Sequence, residues 1–178
     1  MVSLLSRWLG VSSGPDMTES HRAFLARAAK AAVWSETRTH VPAEMTLAQA
    51  LIESGWGDHC PGNNCLGIKV HHTRGLESYG LTPELAKGGY KDRPHGEYEL
   101  YGSLGDCFAD HAQLLRRGVY RFAWDTYQRD GDCVAWIKRV AKIYARDEAY
   151  FVKIDAAMHM PEVIEALRKA REPLTSAT

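Results

Sequence analysis

The sequence carries no excess of either charge: Lys plus Arg and Asp plus Glu both number 22 across 178 residues. Nucleic-acid binders usually show a basic surplus or stripe, and none is visible, so no nucleic-acid partner is expected. Nor does overall charge steer the chain toward an anionic polymer. No apolar run reaches about 18 residues, so no membrane-spanning helix and no membrane partner are expected. There is no HExxH pair and no CxxC spacing, which argues against a metallopeptidase and a zinc site. No metal and no cofactor are expected, and a monomer suffices. There is no internal repeat.

Four cysteines are present, Cys60, Cys65, Cys107 and Cys133. A Cys60–Cys65 disulfide would close the short loop Cys-Pro-Gly-Asn-Asn-Cys, but the spacing leaves the pairing open. Cys107 and Cys133 read as buried free thiols on helices. The stretch Met1–Pro15 makes a poor signal peptide: it lacks a charged start, and Arg7 interrupts its apolar residues. Residues 1–16 and 172–178 are expected to be a flexible leader and tail around one domain over 17–171. Without a signal, work outside the cell would need phage release, a virion or another export route.

What is present is mostly helical periodicity. Residues 17–38 read as a helix with Phe24, Ala28, Ala31 and Ala32 inward and Thr18 or Ser20 as its cap. A second helix starts at Pro42 and runs to Glu53, where Gly55 and Gly57 stop it. Glycines then punctuate the chain from Cys60 to Tyr101, with short segments at 66–70 and 98–101, which predicts a loop and a small β-hairpin lobe. Ser103 and Asp106 mark another helix start, with Cys107, Phe108, His111, Leu114 and Leu115 on one face. Helices follow over 132–144 (Val134, Ile137, Val140 and Ala141 inward), 148–158 and 161–170. The fold class is α+β, mostly α, of lysozyme-like type with a helical lobe and a small β-hairpin lobe.

Glu53 stands out. A carboxyl at the end of an apolar helix, beside Trp56, would lie against an aromatic wall that favours its neutral form. A glycosidase needs such a carboxylic acid to protonate a leaving oxygen. The plainer alternative, a solvated helix-end glutamate, sits unfavourably near the helix C-terminus by about 0.3–1 kcal/mol.

The wider pattern carries a resemblance. Ala48-Gln-Ala-Leu-Ile-Glu-Ser-Gly-Trp-Gly57, then Asn63-Asn-Cys-Leu-Gly-Ile-Lys69, resembles the glucosaminidase family, glycoside hydrolase family 73. Flagellar peptidoglycan hydrolases, autolysins and many phage endolysins belong to it. Tyr101-Gly-Ser103, Phe108-Ala-Asp-His-Ala112 and Tyr144-Ala-Arg-Asp-Glu-Ala-Tyr150 continue the likeness in order, over about residues 20–160. Cys65, Leu66, Arg146 and Glu148 depart from the family pattern without removing the acid.

The resemblance implies cleavage of peptidoglycan glycan strands by an endo-β-N-acetylglucosaminidase with Glu53 as general acid. It implies a second carboxylate from the β-lobe. Glu84, in Leu81-Thr-Pro-Glu84, fits the spacing to Tyr98-Glu-Leu-Tyr101; Glu77, Glu97 and Glu99 are rivals and Asp92 a weaker one. Carboxyl separation would decide between retention and inversion, and the substrate's own acetamido group offers a third route.

Tyr144 is implied to lie near the acid and to contact sugar, with Tyr150 as a further substrate contact, although helix-end packing suits Tyr150 better. Trp56 and Trp124 are candidate sugar-stacking surfaces, with core packing equally open for Trp124. Asn64 is a candidate substrate contact, although Asn63 and Asn64 more simply shape a turn. His111 reads as a structural hydrogen-bonding group.

Other readings stay open: an N-acetylmuramidase, a lytic transglycosylase, a non-catalytic wall-binding module, or a Cys–His hydrolase using Cys60 or Cys65 with His59, His71 or His72.

Overall fold

The computed structural model describes residues 17–69, 98–144 and 149–172. Helix α1 (Glu19–Thr39) is capped by Thr18, whose hydroxyl accepts a bond from the His21 N–H at 3.2 Å. Glu19 in its first turn and Arg38 in its last complement the helix dipole. It ends at His40, whose backbone is left-handed (φ 61°). Ala28, Ala29 and Ala32 are fully buried and let neighbouring helices approach closely. Ala31, expected inward, is only partly buried, and Ala29 takes that place.

Helix α2 (Ala43–Glu53) follows almost at once. Pro42 supplies no side-chain cap, so the Glu36 carboxylate of α1 accepts the Ala43 N–H at 3.0 Å instead. Helix α2 is the centre of the molecule. Ala43, Leu47, Ala50 and Leu51 face one apolar core, with Phe24, Trp56, Phe108 and Leu167. Met45 and Ala48 face a second, with Trp124, Trp136, Tyr150 and Ile154. A helix apolar nearly all round must be wrapped on all sides; Glu53 at its end is its one exposed residue, with Glu44 and Ile52 partly open.

The chain then turns through left-handed residues, Gly55, Trp56 and Gly57. A Cβ at Gly57 would lie 2.4 Å from Phe24 Cγ, so α1 packs directly on this turn and only glycine fits. A bulky residue in the left-handed region is strained, and burial of the Trp56 indole offsets that cost. A single 3-10 turn, Pro61–Asn63, sits inside the Cys60–Cys65 disulfide loop.

Helix α3 (Leu104–Leu115) starts at Ser103, whose hydroxyl accepts from Asp106 N–H and donates to the Asp106 carboxylate. A 3-10 turn (Gly118–Tyr120) leads into α4 (Arg121–Asp130), then α5 (Cys133–Tyr144), α6 (Tyr150–Met158) and α7 (Pro161–Arg171). Helix α4 is the element that sequence periodicity does not single out: its buried face is only Ala123, Trp124 and Thr126, within a strongly polar segment. On α5, Val134 is 46% exposed, not inward, because the large indole of Trp136 takes the core position. Helix α1 packs against α3, α7 and α2, while α2 also packs on α6.

Among the described residues there is no strand, only an antiparallel bridge between Lys69 and Tyr98. The expected β-hairpin lobe falls mainly on 70–97, outside the described residues.

Candidate active site

Glu53 is the last residue of α2, and its side chain is exposed. Its carboxylate is nevertheless fixed, because the Tyr150 hydroxyl donates to Oε1 at 2.6 Å. Tyr150 opens α6 and is itself buried. Its phenol oxygen accepts from the Gln49 side-chain amide at 3.1 Å. Gln49 lies one turn before Glu53, so the 3.6-residue period brings both to the same side of α2.

Tyr144, the last residue of α5, stacks on Tyr150 with ring centroids 5.7 Å apart and planes 9° apart. Its own hydroxyl donates to the Leu66 carbonyl at 3.2 Å. Burial, and then the nearby Glu53 charge, push both phenols well above the usual tyrosine range. They stay neutral hydrogen-bond donors at any working pH. His111 lies edge-on to Tyr144 at 5.9 Å, and Tyr120 is tilted against it.

The aromatic partner bonded to Glu53 is therefore a tyrosine. Trp56, expected as the wall beside it, is 2% exposed and packed in the first core with Phe24 and Leu51. The left-handed turn swings the indole inward, which removes it as a sugar-stacking surface. Trp124 is buried too, edge to face with Trp136 and tilted on Tyr127. Of the two readings open for it, core packing holds.

Asn64 is likewise no free contact for a sugar. Its amide donates to the Ile68 and Glu99 carbonyls at 2.8 and 3.0 Å, and its oxygen accepts the Ile68 N–H at 3.0 Å. It clasps the two chain segments that flank the Lys69–Tyr98 bridge. Asn63 helps by donating to the Tyr101 carbonyl at 2.9 Å, and the Tyr101 hydroxyl reaches Asp110 of α3 at 2.7 Å.

Glu84, with its rivals Glu77, Asp92 and Glu97, lies outside the described residues. Glu99 is 2% exposed, its backbone N–H bonded to the Ile68 carbonyl, so it offers no open carboxylate to a substrate. His111 departs from its expected bonding role: it is fully buried, and neither ring nitrogen has a hydrogen-bond partner among the described residues. Cys60 and Cys65 form a disulfide, so neither is a nucleophile as the structure stands. Cys107 is buried and reduced, its thiol pushed up to about 12 by burial; Cys133 is reduced but only half-buried. Among the described residues no three His, Cys, Asp or Glu side chains gather as a metal site.

Two groups of this site are given no role by the sequence reading. The Leu66 carbonyl that fixes Tyr144 leaves no trace in side-chain pattern. Gln49 does leave one, as the lone polar residue in the run Leu47–Ile52.

The arrangement is a carboxyl open to solvent at the end of a core helix, steadied by a buried phenol, on a mostly helical scaffold. The fold is shared with the glycoside hydrolase domain of FlgJ from Salmonella typhimurium (TM-score 0.60, 21% identity, covering 84% of this chain and 91% of that one). It is shared also with the catalytic domain of the autolysin Auto from Listeria monocytogenes (TM-score 0.60, 19% identity, 93% and 98% covered). The chain belongs to the glucosaminidase family: the family model described as mannosyl-glycoprotein endo-beta-N-acetylglucosaminidase matches residues 29–162.

Among curated relatives, an autolysin of Enterococcus faecalis is 30% identical over 152 residues, covering 78% of this chain and 20% of that protein. The exo-glucosaminidase LytG of Bacillus subtilis is 27% identical over 122 residues, covering 67% and 43%. The chain thus spans less than half the length of these relatives.

Proposed function

We propose that this chain hydrolyses the glycan strands of peptidoglycan at the bacterial cell wall, as an endo-β-N-acetylglucosaminidase acting as a monomer, with Glu53 as general acid. The observation that carries the reading is the Glu53 carboxyl, exposed at the end of α2 while Tyr150 holds Oε1 at 2.6 Å. Relatives named peptidoglycan hydrolase and exo-glucosaminidase support the substrate class.

The chemistry follows from which oxygen is engaged. Tyr150 donates to Oε1, so Oε1 is an acceptor, and the acidic proton belongs on Oε2. Oε2 hands that proton to the glycosidic oxygen as the bond to the anomeric carbon breaks. The bonding pair leaves with the departing sugar, and positive charge develops on the ring left behind. Water, or the acetamido oxygen followed by water, takes the anomeric carbon; the one proton that water loses returns to Glu53 directly on the acetamido route, and by way of the activating base and solvent when water attacks first. Glu84 is our assignment for the second carboxylate, on sequence spacing alone, to activate the water or orient the acetamido group. Tyr144 and Tyr150 border this acid, and Tyr150 also limits where its carboxyl can swing.

Glu53→Gln keeps the shape and removes the proton. Release of soluble fragments from purified sacculi should fall by about 10²–10⁴-fold; activity within about tenfold of wild type rejects the acid. Mass spectrometry of borohydride-reduced products tests the bond. Reduced N-acetylglucosamine ends support the assignment. Reduced or anhydro-muramic ends overturn it in favour of a muramidase or a transglycosylase, and binding without release would make the chain a wall-binding module.

A further inference from the structure

We infer that Gln49 is a positioning residue that sets the direction of the Tyr150–Glu53 hydrogen bond and thereby which Glu53 oxygen carries the acid proton. The inference rests on the reading of Glu53 as the acid.

A phenol has one hydrogen to give and can accept at its oxygen. Alone beside a carboxyl, it could donate to the carboxylate or accept from the protonated acid. In this structure the Gln49 amide N–H occupies the Tyr150 oxygen at 3.1 Å. With its acceptor site taken, the phenol turns its hydrogen to Oε1 of Glu53, 2.6 Å away. Donation into the phenol also polarises it and strengthens its own donation, as in any hydrogen-bond chain.

Gln49 gains little else from its place. It is fully buried in α2, and its amide oxygen has no hydrogen-bond partner among the described residues. A methionine or leucine would fill a similar volume without an orphaned oxygen. A residue that breaks a core-packing rule beside reactive groups marks a functional demand.

The surroundings keep the readout clean. The ionisable groups acting on the two phenols are Glu53, each other, Tyr120 and Cys107, with His111 packed on Tyr144. Burial holds His111 down to about 3 and pushes Cys107 up to about 12, and the phenols above their usual range. Between about pH 4 and 9 none of these neighbours changes charge.

The test compares wild type, Gln49→Met, Tyr150→Phe and the double variant on soluble uncrosslinked peptidoglycan across pH. Freed from Gln49, the phenol can accept the Glu53 proton, and the neutral acid gains a partner it lacked. Gln49→Met should lower kcat about tenfold with KM within about twofold, and move the alkaline limb of kcat upward by about half a pH unit or more. Tyr150→Phe should move the limb the same way, and adding Gln49→Met to it should change nothing further. Met45→Leu, a core change on the same helix, should leave the limb in place.

Losses that add in the double variant, an unmoved limb, or an effect on KM alone would overturn the inference. If Gln49→Met folds poorly, Gln49→Leu takes its place, and Tyr150→Phe tests the limb independently. Should Glu53→Gln retain activity, the failure belongs to the proposed acid. With Glu53 essential and the limb unmoved, it belongs to Gln49 alone.

Discussion

The two apolar cores that meet on α2 are made of different material. The first is packed by alanines and aliphatic side chains, Ala28, Ala29, Ala32, Leu47 and Leu51 among them, and it brings α1, α2, α3 and α7 close together. At its rim Arg171 of α7 reaches Glu36 and Glu44, while Asp110, which accepts from the Tyr101 hydroxyl, is buried beside it. The second holds two groups of touching rings: Trp124, Trp136 and Tyr127 in one, Tyr120, Tyr144 and Tyr150 in the other. Polar atoms lie at its centre and border, including Gln49, His111 and the Trp136 indole N–H. The first core gives close packing, and the second delivers phenol hydroxyls to the helix end where the two cores part.

The division can be broken by matched truncations. Trp136→Ala empties the Trp124–Trp136–Tyr127 group and should cost about 3–5 kcal/mol in urea unfolding; Leu47→Ala in the first core should cost about 2–5 kcal/mol. Activity separates them. At a temperature where both variants remain folded, Trp136→Ala should lower kcat, because α5 carries both Trp136 and the Tyr144 that stacks on Tyr150. Leu47→Ala should leave kcat within about twofold. Equal losses of kcat would erase the distinction between the cores.

The sequence makes the first core more legible than the second. Its alanines recur at helical spacing along α1, and the run that ends at Glu53 is almost wholly apolar. The second core draws on α4, whose inward residues are sparse among charges, and on Trp136, two residues after a valine that faces solvent. At the site, motif likeness picks out Glu53, Tyr144 and Tyr150, because side-chain identity carries them. It gives Trp56 and Asn64 the wrong surroundings. The first is turned inward by a left-handed backbone, and the second is saturated by the Ile68 carbonyl and by the Glu99 carbonyl, 35 residues after Asn64. Backbone conformation and long-range pairing are not written in residue type, so these two positions could be read only from the fold.

The next difference is sensitivity to acid. Burial holds His111 in the folded protein down to about 3, against about 6.5 for a free imidazole. The folded state keeps it neutral while the unfolded chain takes a proton below about pH 6.5, so stability falls as pH drops through that window toward 3. At pH 5 the loss should be about 2 kcal/mol, from 1.5 units at 1.36 kcal/mol each. Comparing urea midpoints at pH 7.5 and 5, His111→Leu should flatten this slope relative to wild type. A slope shared by both proteins would remove His111 as its source.

The rim of the first core should show the smallest effect, and in a different pH range. Arg171 donates to Glu44 at 2.8 Å and Glu36 at 3.0 Å, with all three side chains partly open to water. Solvent screening limits such a network to about 0.5–1 kcal/mol, so Arg171→Ala should cost no more than that, and less in high salt. Burial alone would push the Glu44 carboxyl up, but the Arg171 hydrogen bond, its own backbone N–H and the Arg171 charge together hold it below the usual range. A lowered carboxyl stabilises the fold above the ordinary carboxylate range, and that share is lost as pH falls through the lowered value. The gap between wild type and Arg171→Ala should therefore stay constant from pH 7 to about 5, where the His111 slope is already steep, and close only below about 4.5. A gap that narrowed in step with the His111 slope would mean that the two cores do not respond to acid independently.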